Sequence, residues 1–188
     1  MAYDPDRHHR RSIRLRGYDY AQAGTYFVTV VTHDRVCLFG EVIDSAMRQN
    51  ARGKLVEDEW LRTEIVRPNV SLNAYVVMPN HLHGIIVLTD NVGATRRVAP
   101  TRRPAGPAPG SVAAIVGQFK SLVTKRMNES RGTPGTRVWQ RNYYENVVRD
   151  EAALDRIRQY IADNPARWAF DRENAASTAP EPEDEWRT

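Results

Sequence analysis

Apolar and polar residues alternate along residues 26–32, which predicts a β-strand because strand side chains point to opposite faces with a period of two. Beyond this strand the apolar residues recur at helical spacing, and the residue before a proline is disfavoured in a helix. We therefore predict a first helix that ends before Pro68. Its apolar positions include Val42, Ala46, Leu55, Trp60, Leu61 and Ile65.

A β-hairpin is predicted next in the chain. Residues 75–78 are β-prone, Pro79 and Asn80 are typical turn residues, and residues 85–88 form an apolar returning strand. The residues that directly follow the turn should therefore lie on a rigid platform.

Two helices and one strand are predicted between residues 111 and 165. Ser111 is a good N-cap for a helix with one apolar face, and residues 143–148 alternate as a strand. Asp150 is a good N-cap and Pro165 ends the pattern, so a last helix is predicted from residue 151 to residue 163. The order β-α-β-β-α-β predicts an α+β fold, a ferredoxin-like sandwich whose antiparallel sheet carries two helices on one face. The other face is left for the C-terminal helix.

One domain is expected, covering residues 17–170. Residues 1–16 form a basic N-terminal arm, and residues 171–188, rich in Ala, Pro and Glu, predict an acidic disordered tail. Residues 91–110 are rich in proline and glycine, which predicts a flexible insertion within the domain.

The charge distribution favours nucleic acid as a partner. The net charge is +4, but the segment from residue 171 onward carries −4, so the preceding residues carry +8. Arginines cluster in the N-terminal arm and again near residues 96–103, and arginine matches the geometry of phosphate. Each cluster has an alternative interpretation as a solvated tail. The single Cys37 and the lack of a long apolar run predict a soluble, cytoplasmic protein.

Two histidines, His81 and His83, flank Leu82 immediately after the predicted turn. On a strand the two imidazoles project from the same face and can bind one ion between them, while the leucine points into the core. Taken alone, the pair is weak evidence for a metal site, because two histidines spaced in this way on a strand more often only make surface contacts or hydrogen bonds.

Tyr160 and Asn164 are four residues apart on the predicted last helix, so they occupy one face. They would present a hydroxyl nucleophile and a carbonyl oxygen ligand side by side. Two imidazoles and an amide oxygen would form an open site for a divalent cation. The alternative is that Tyr160 only packs and that Asn164-Pro165 only ends the helix.

Several motifs together resemble the single-tyrosine HUH transposases, and most closely their REP-associated tyrosine transposase branch. They are Met78-Pro-Asn-His-Leu-His83, Phe119-Lys120, Trp139-Gln-Arg-Asn-Tyr-Tyr-Glu145, and Tyr160 with Asn164-Pro165; residues 11–20 and 24–29 add to the likeness. The resemblance implies metal-dependent cleavage and strand transfer of single-stranded DNA hairpins, through a covalent 5′-phosphotyrosine, in DNA transposition. It implies Mg²⁺ or Mn²⁺ as the ion.

By position, the resemblance implies His81 and His83 as metal ligands and Tyr160 as the nucleophile. Asn164 stands where insertion-sequence members usually have a glutamine as third ligand, and its side chain is shorter by one methylene. Asp163 is a competing ligand, but it should face away from the row of Tyr160. Tyr143 and Tyr144 are rival nucleophiles, although they are more readily explained as packing or DNA-stacking residues.

The expected partner is a single-stranded DNA hairpin, in a bacterial cytoplasmic protein associated with the nucleoid. Whether the protein forms a homodimer is left open. Two other functions compete: a DNA-binding module that does not cleave, and a metal-dependent phosphohydrolase that uses water. The phosphohydrolase would need a carboxylate beside the histidines, and none adjoins them in the sequence. Candidate DNA-binding residues are Arg10, Arg11, Arg14, Arg16, Lys120, Arg141 and Tyr144.

Overall fold

The computed structural model describes residues 18–90 and 106–178. The N-terminal arm, most of the predicted insertion and the end of the predicted tail lie outside these residues. The strands are β1 (Gly24–Val31), β2 (Gly40–Ile43), β3 (Ala46–Gln49), β4 (Val70–Val77), β5 (His81–Leu88) and β6 (Tyr144–Val148). The helices are α1 (Ala51–Ile65), α2 (Val112–Arg131) and α3 (Glu151–Asp163).

Four strands form one antiparallel sheet in the order β4-β5-β1-β6. Strand β1 is central, and its register with β5 runs from the Gly24–Leu88 pair to the Val31–His81 pair. The first and last strands of the β-α-β-β-α-β series therefore lie side by side. This order confirms the predicted ferredoxin-like sandwich.

The two faces of the sheet carry different helices. One face packs against α1 and α2 in the main core, where Leu82 and Trp60 are fully buried. Gly84 lies in this face, and a Cβ placed there would come within 2.3 Å of the Trp60 ring, so only glycine fits. The opposite face forms a smaller core with α3, made of Phe27, Ile85, Ile157 and Ile161.

The start of α1 differs from the prediction. Val42 and Ala46 were assigned to the helix, but they lie in β2 and β3, which form a separate two-stranded hairpin. Asp44 and Ser45 adopt φ values of 48° and 60° at its turn, which a helix does not allow. The helix begins only after Asn50, whose side chain accepts hydrogen bonds from the backbone N–H groups of Arg52 and Gly53.

The predicted caps of the other two helices are confirmed. Ser111 Oγ accepts a hydrogen bond from Ala114 N at the start of α2, and Asp150 Oδ1 accepts one from Ala153 N at the start of α3. Across the described parts of the chain, no helix has both the length and the apolar character needed to cross a membrane.

Candidate metal and tyrosine site

Strand β5 presents His81 and His83 to the side of the sheet that α3 covers, while Leu82 points to the opposite core, as predicted. The imidazole rings lie 4.4 Å apart between centroids. Both are buried, with exposed fractions of 0% and 3%. Because each ring carries polar nitrogens into a dry environment, these atoms need partners.

The Nδ1 atoms of both histidines are engaged by side chains that orient the rings. His81 Nδ1 donates to Asn80 Oδ1 at 2.8 Å, and His83 Nδ1 lies 2.8 Å from Thr29 Oγ1. Because an amide oxygen can only accept, the proton of the neutral His81 ring lies on Nδ1 and its lone pair on Nε2, whereas the Thr29 hydroxyl can either donate to His83 or accept from it. Contacts of this kind commonly orient histidines that bind metals.

Tyr160 approaches His83 from α3. Its hydroxyl lies 3.2 Å from His83 Nε2, within hydrogen-bond distance, and the two rings lie 5.1 Å apart between centroids. Phe27 packs edge-on against the tyrosine ring at 6.2 Å. The structure thus brings Tyr160 to the histidine pair across a separation of 77 residues.

Asp171 joins the site, although the sequence did not indicate it. Its Oδ2 lies 3.8 Å from His81 Nε2, and one ligand atom from each of His81, His83 and Asp171 lies within 4.8 Å of the others. Asp171 is 5% exposed and follows the short 3₁₀ turn Trp168–Phe170. The aromatic residues of that turn were a signal of ordered chain, but the acidic composition pointed to a tail.

The prediction of a disordered tail from residue 171 onward therefore differs from the structure at its start. Glu173 receives a hydrogen bond from Arg35 Nε at 2.9 Å, and its carbonyl oxygen accepts one from Asn80 Nδ2 at 2.7 Å. These contacts, with the burial of Asp171, attach the segment to the turn beside His81. Residues 179–188 lie outside the described residues.

Asn164 is also buried at the site. Its Nδ2 donates to Asp171 Oδ2 at 3.1 Å, whereas its Oδ1 and the His81 Nε2 atom are buried without a hydrogen-bond partner among the described residues. The His81 lone pair, the Asn164 oxygen and the Asp171 carboxylate are all electron-rich, and a cation between them would relieve their mutual repulsion. The donor set therefore fits a divalent ion. Asp163 faces elsewhere, since its carboxylate accepts from Gln159 Nε2.

The protonation state of the two histidines is also suited to binding a divalent ion. Burial lowers the pKa of His81, against the opposing effect of the Asp171 and Glu173 carboxylates. Burial, together with the neighbouring His81, lowers the pKa of His83 well below its ordinary value. Both rings are therefore neutral at neutral pH, which is the form that binds a metal.

The tandem tyrosines lie on β6 or just before it. The Tyr143 hydroxyl donates to Glu145, and its ring packs against the main core. Tyr144 is in register with Thr29 and packs against Phe27, with ring centroids 6.2 Å apart. Tyr144 thus lies on the face of the sheet that carries His83, with β1 between the two strands.

The remaining candidate DNA-binding residues are dispersed. Lys120 is half-buried, and its Nζ donates to the carbonyl oxygens of Gln140 and Arg141 at 2.7 and 3.1 Å. Burial lowers its pKa to about 8. Arg141 is exposed. The four arginines of the N-terminal arm, Arg10, Arg11, Arg14 and Arg16, lie outside the described residues.

Comparison with known proteins shows a relative of this chain. No protein-family model matches it. An uncharacterized protein of Haemophilus influenzae is 37% identical over 174 residues, which cover 90% of this chain and 96% of that protein. The chain belongs to the same family as this Haemophilus protein.

A solved structure of a REP-associated tyrosine transposase bound to a REP hairpin is also similar. It has a TM-score of 0.51 and 19% identity, over 85% of this chain and 76% of that chain. The predicted likeness to the REP-associated tyrosine transposases is thereby confirmed in the fold.

The metal-free protein is expected to lose stability as the pH falls below about 6.5, the ordinary pKa of histidine. The pKa values of His81 and His83 are lowered by folding, so the unfolded chain binds more protons below that pH. The loss amounts to at most about 1.4 kcal/mol per pH unit for each histidine. Thermal unfolding in EDTA between about pH 7.5 and pH 5 measures it. An unchanged Tm over this range would contradict the expectation.

Proposed function

We propose that the protein is a tyrosine transposase of the HUH type that cleaves and rejoins single-stranded DNA hairpins with the help of a divalent cation. The observation that carries the proposal is the contact of the Tyr160 hydroxyl with His83 Nε2, beside the buried side chains of His81 and Asp171. The fold shared with a REP-associated tyrosine transposase supports it.

The residues that would hold the cation are His81, His83 and Asp171, with Asn164 beside them. Mixed nitrogen and oxygen ligands suit Mg²⁺ or Mn²⁺ in phosphate chemistry. The bound cation would act as a Lewis acid on the phosphate oxygen. Asn80 and Thr29 would keep the two imidazoles oriented through their Nδ1 atoms.

Tyr160 would supply the nucleophile. Its oxygen gives up the phenol proton and forms a bond to phosphorus, the bond from phosphorus to the 3′ oxygen breaks, and the 3′ oxygen takes up a proton and leaves as a hydroxyl. The ordinary pKa of a phenol, about 10, makes the tyrosine oxygen a tolerable leaving group when the reaction reverses. Packing against Phe27 holds the ring in place for both directions.

Labelled single-stranded hairpins drawn from the flanking genome test the proposal. We expect a covalent protein–DNA adduct on denaturing gels with Mg²⁺ or Mn²⁺, and none in EDTA. Hairpin binding without cleavage under all metal conditions would instead indicate a DNA-binding module. The basic arm, with Arg10, Arg11, Arg14 and Arg16, remains the proposed source of additional phosphate contacts.

A metal-dependent phosphohydrolase that uses water is a second candidate, and Asp171 is the observation that favours it. No carboxylate adjoins the histidines in the sequence, but in the fold Asp171 lies 3.8 Å from His81. Two histidines and a carboxylate can activate a water molecule. Cleavage that yields a free 5′-phosphate, without any adduct, would identify this reaction.

Replacing Asp171 and Asn164 one at a time is expected to show how much each oxygen ligand contributes to metal binding. Asp171→Ala removes the carboxylate of the buried cluster that His81, His83 and Asp171 form, and it should weaken Mn²⁺ binding by at least about tenfold. Asn164→Ala should weaken it less, with cleavage partly restored by excess Mn²⁺, because the other three ligands remain. Calorimetric titration with Mn²⁺ measures both. Asp163→Ala is the control, and an equal loss in that variant would contradict the assignment.

A further inference from the structure

The helix that carries Tyr160 is held on the sheet by a small apolar area. Helix α3 buries two residues, Ile157 and Ile161, whereas α2 buries seven. A groove of about 480 Å³, lined by α3, β4, β3 and Glu57 of α1, lies along the edge of the sheet beside it. Elements with few buried apolar contacts are the easiest to displace, so a polar contact that ties α3 to the sheet affects where Tyr160 lies.

Such a contact joins α3 to β4, the edge strand of the sheet. Arg158 Nε donates to Asn73 Oδ1 at 3.0 Å, across a separation of 85 residues. Both side chains line the groove. Arg158 precedes Tyr160 by two residues, which is a rise of about 3 Å along a helix. A displacement of α3 at Arg158 therefore moves Tyr160 by nearly the same distance.

A β-bulge aims the Asn73 side chain at α3. The register of β4 with β5 shifts between Leu72 and Tyr75, which inserts one extra residue into β4. Bulges of this kind re-aim a side chain, and they are frequent next to active sites. Asn73 Oδ1 also accepts a hydrogen bond from the backbone N–H of Ala74 at 2.9 Å, which fixes the orientation of the side chain. The acceptor for Arg158 is therefore held in place by β4 itself.

The donor is oriented in the same way by its own helix. Arg158 Nη1 donates to Glu151 Oε1 at 2.9 Å and to Asp155 Oδ1 at 2.8 Å, and both carboxylates belong to α3. These bonds hold the planar guanidinium group while its Nε donates to Asn73. Because each partner is fixed on its own element, the bond between them sets the position of α3 relative to β4.

The contact between Tyr160 and His83 tolerates little displacement. The Tyr160 hydroxyl lies 3.2 Å from His83 Nε2, at the upper end of the usual range for a hydrogen bond. A shift of α3 away from the sheet by about 1 Å would break this contact, and misplacement of that size can lower a reaction rate about a hundredfold.

We infer that Asn73 and Arg158 are a positioning pair, whose hydrogen bond holds α3 where the Tyr160 hydroxyl meets His83 Nε2. Neither residue belongs to the buried cluster of His81, His83 and Asp171. The inference rests on the proposed function, which gives Tyr160 its role as nucleophile.

Single-turnover reactions of Asn73→Ala and Arg158→Ala with labelled hairpins and Mn²⁺ test the inference. Each variant should form the adduct at least about tenfold more slowly, because the nucleophile is misplaced. The Kd for the hairpin should stay within about twofold, since DNA affinity depends on the distributed basic residues. The double variant should react no more slowly than either single one, because both substitutions break the same bond. A wild-type rate constant in either single variant would overturn the inference.

Asn73→Asp tests whether the hydrogen bond itself is responsible. Aspartate keeps an oxygen in the position of Oδ1, so it can accept from both Arg158 Nε and the backbone N–H of Ala74. This variant should form the adduct at the wild-type rate. A loss as large as that of Asn73→Ala would show that the hydrogen bond is not the cause, and the inference would fail.

Two controls separate positioning from a general loss of stability or charge. Tyr75→Phe removes a hydrogen bond of the same strand, in which the Tyr75 hydroxyl donates to Glu57 Oε1 on α1 at 3.1 Å. Arg156→Ala removes the same charge from an exposed position of α3. Both should form the adduct at the wild-type rate. A decrease in Tyr75→Phe equal to that in Asn73→Ala would also overturn the inference, because the rate would then follow stability.

A second measurement needs neither DNA nor metal. The ring ¹⁵N NMR shifts of His83, recorded in EDTA at about pH 8, well above the ordinary pKa of histidine, report its hydrogen bond with the Tyr160 hydroxyl. Tyr160→Phe gives the shifts without that bond. Asn73→Ala and Arg158→Ala should move the shifts towards those of Tyr160→Phe, whereas the two controls should leave them unchanged. Wild-type shifts in Asn73→Ala would refute the positioning role, whatever its rate of adduct formation.

These outcomes distinguish the inference from the proposed function. If the wild type forms the adduct and both alanine variants form it equally fast, the inference fails and the proposed function stands. If no hairpin forms an adduct but the His83 shifts depend on Asn73 and Arg158, the proposed function fails and the pair still positions Tyr160.

Discussion

Replacement of Tyr160 by phenylalanine is expected to abolish the covalent protein–DNA adduct while the protein still folds and binds hairpins. The phenyl ring retains the packing against Phe27 and the ring of His83. Only the phenolic oxygen and its 3.2 Å hydrogen bond to His83 are lost, which costs about 1 kcal/mol of stability. Loss of a nucleophile can reduce turnover by about 10⁶, so adduct formation should fall to background.

Tyr143→Phe and Tyr144→Phe are the matched controls, and each should still form the adduct. The Tyr143 hydroxyl donates to Glu145, and Tyr144 packs against Phe27 from β6, which β1 separates from the strand of His83. An adduct that persists in Tyr160→Phe and disappears in Tyr144→Phe would identify Tyr144 on β6 as the nucleophile.

His81→Ala and His83→Ala should each weaken Mn²⁺ binding by at least about a hundredfold and reduce cleavage to background. The two imidazoles supply the only nitrogen ligands of the buried cluster described here. Hairpin binding should remain, because affinity for DNA depends on the distributed basic residues. Calorimetric titration with Mn²⁺ and adduct gels measure the two effects.

His33→Ala is the control for the histidine variants, since His33 is partly exposed, lies 2.9 Å from Asp34 and is not part of the buried cluster. It should bind Mn²⁺ like the wild type. Adduct formation by the double variant His81→Ala with His83→Ala in Mg²⁺ would refute the metal assignment.

The sequence by itself determined the features that depend on short-range geometry. The period of two along β5 places His81 and His83 on one face and Leu82 on the other. The N-caps Ser111 and Asp150 fix the starts of α2 and α3, because each side chain bonds a backbone N–H three residues later. The order of elements was enough to predict the sheet.

The tertiary structure decided which distant groups meet. Asp171 follows α3 in an acidic segment whose composition resembles a disordered tail, yet contacts of Glu173 with Arg35 and Asn80 bring it to His81. Lys120 was a candidate for DNA contact, but the facing segment after α2 directs its ammonium group to carbonyl oxygens. The functional group of a side chain determines what a residue can bind, whereas long-range packing determines which partner it contacts.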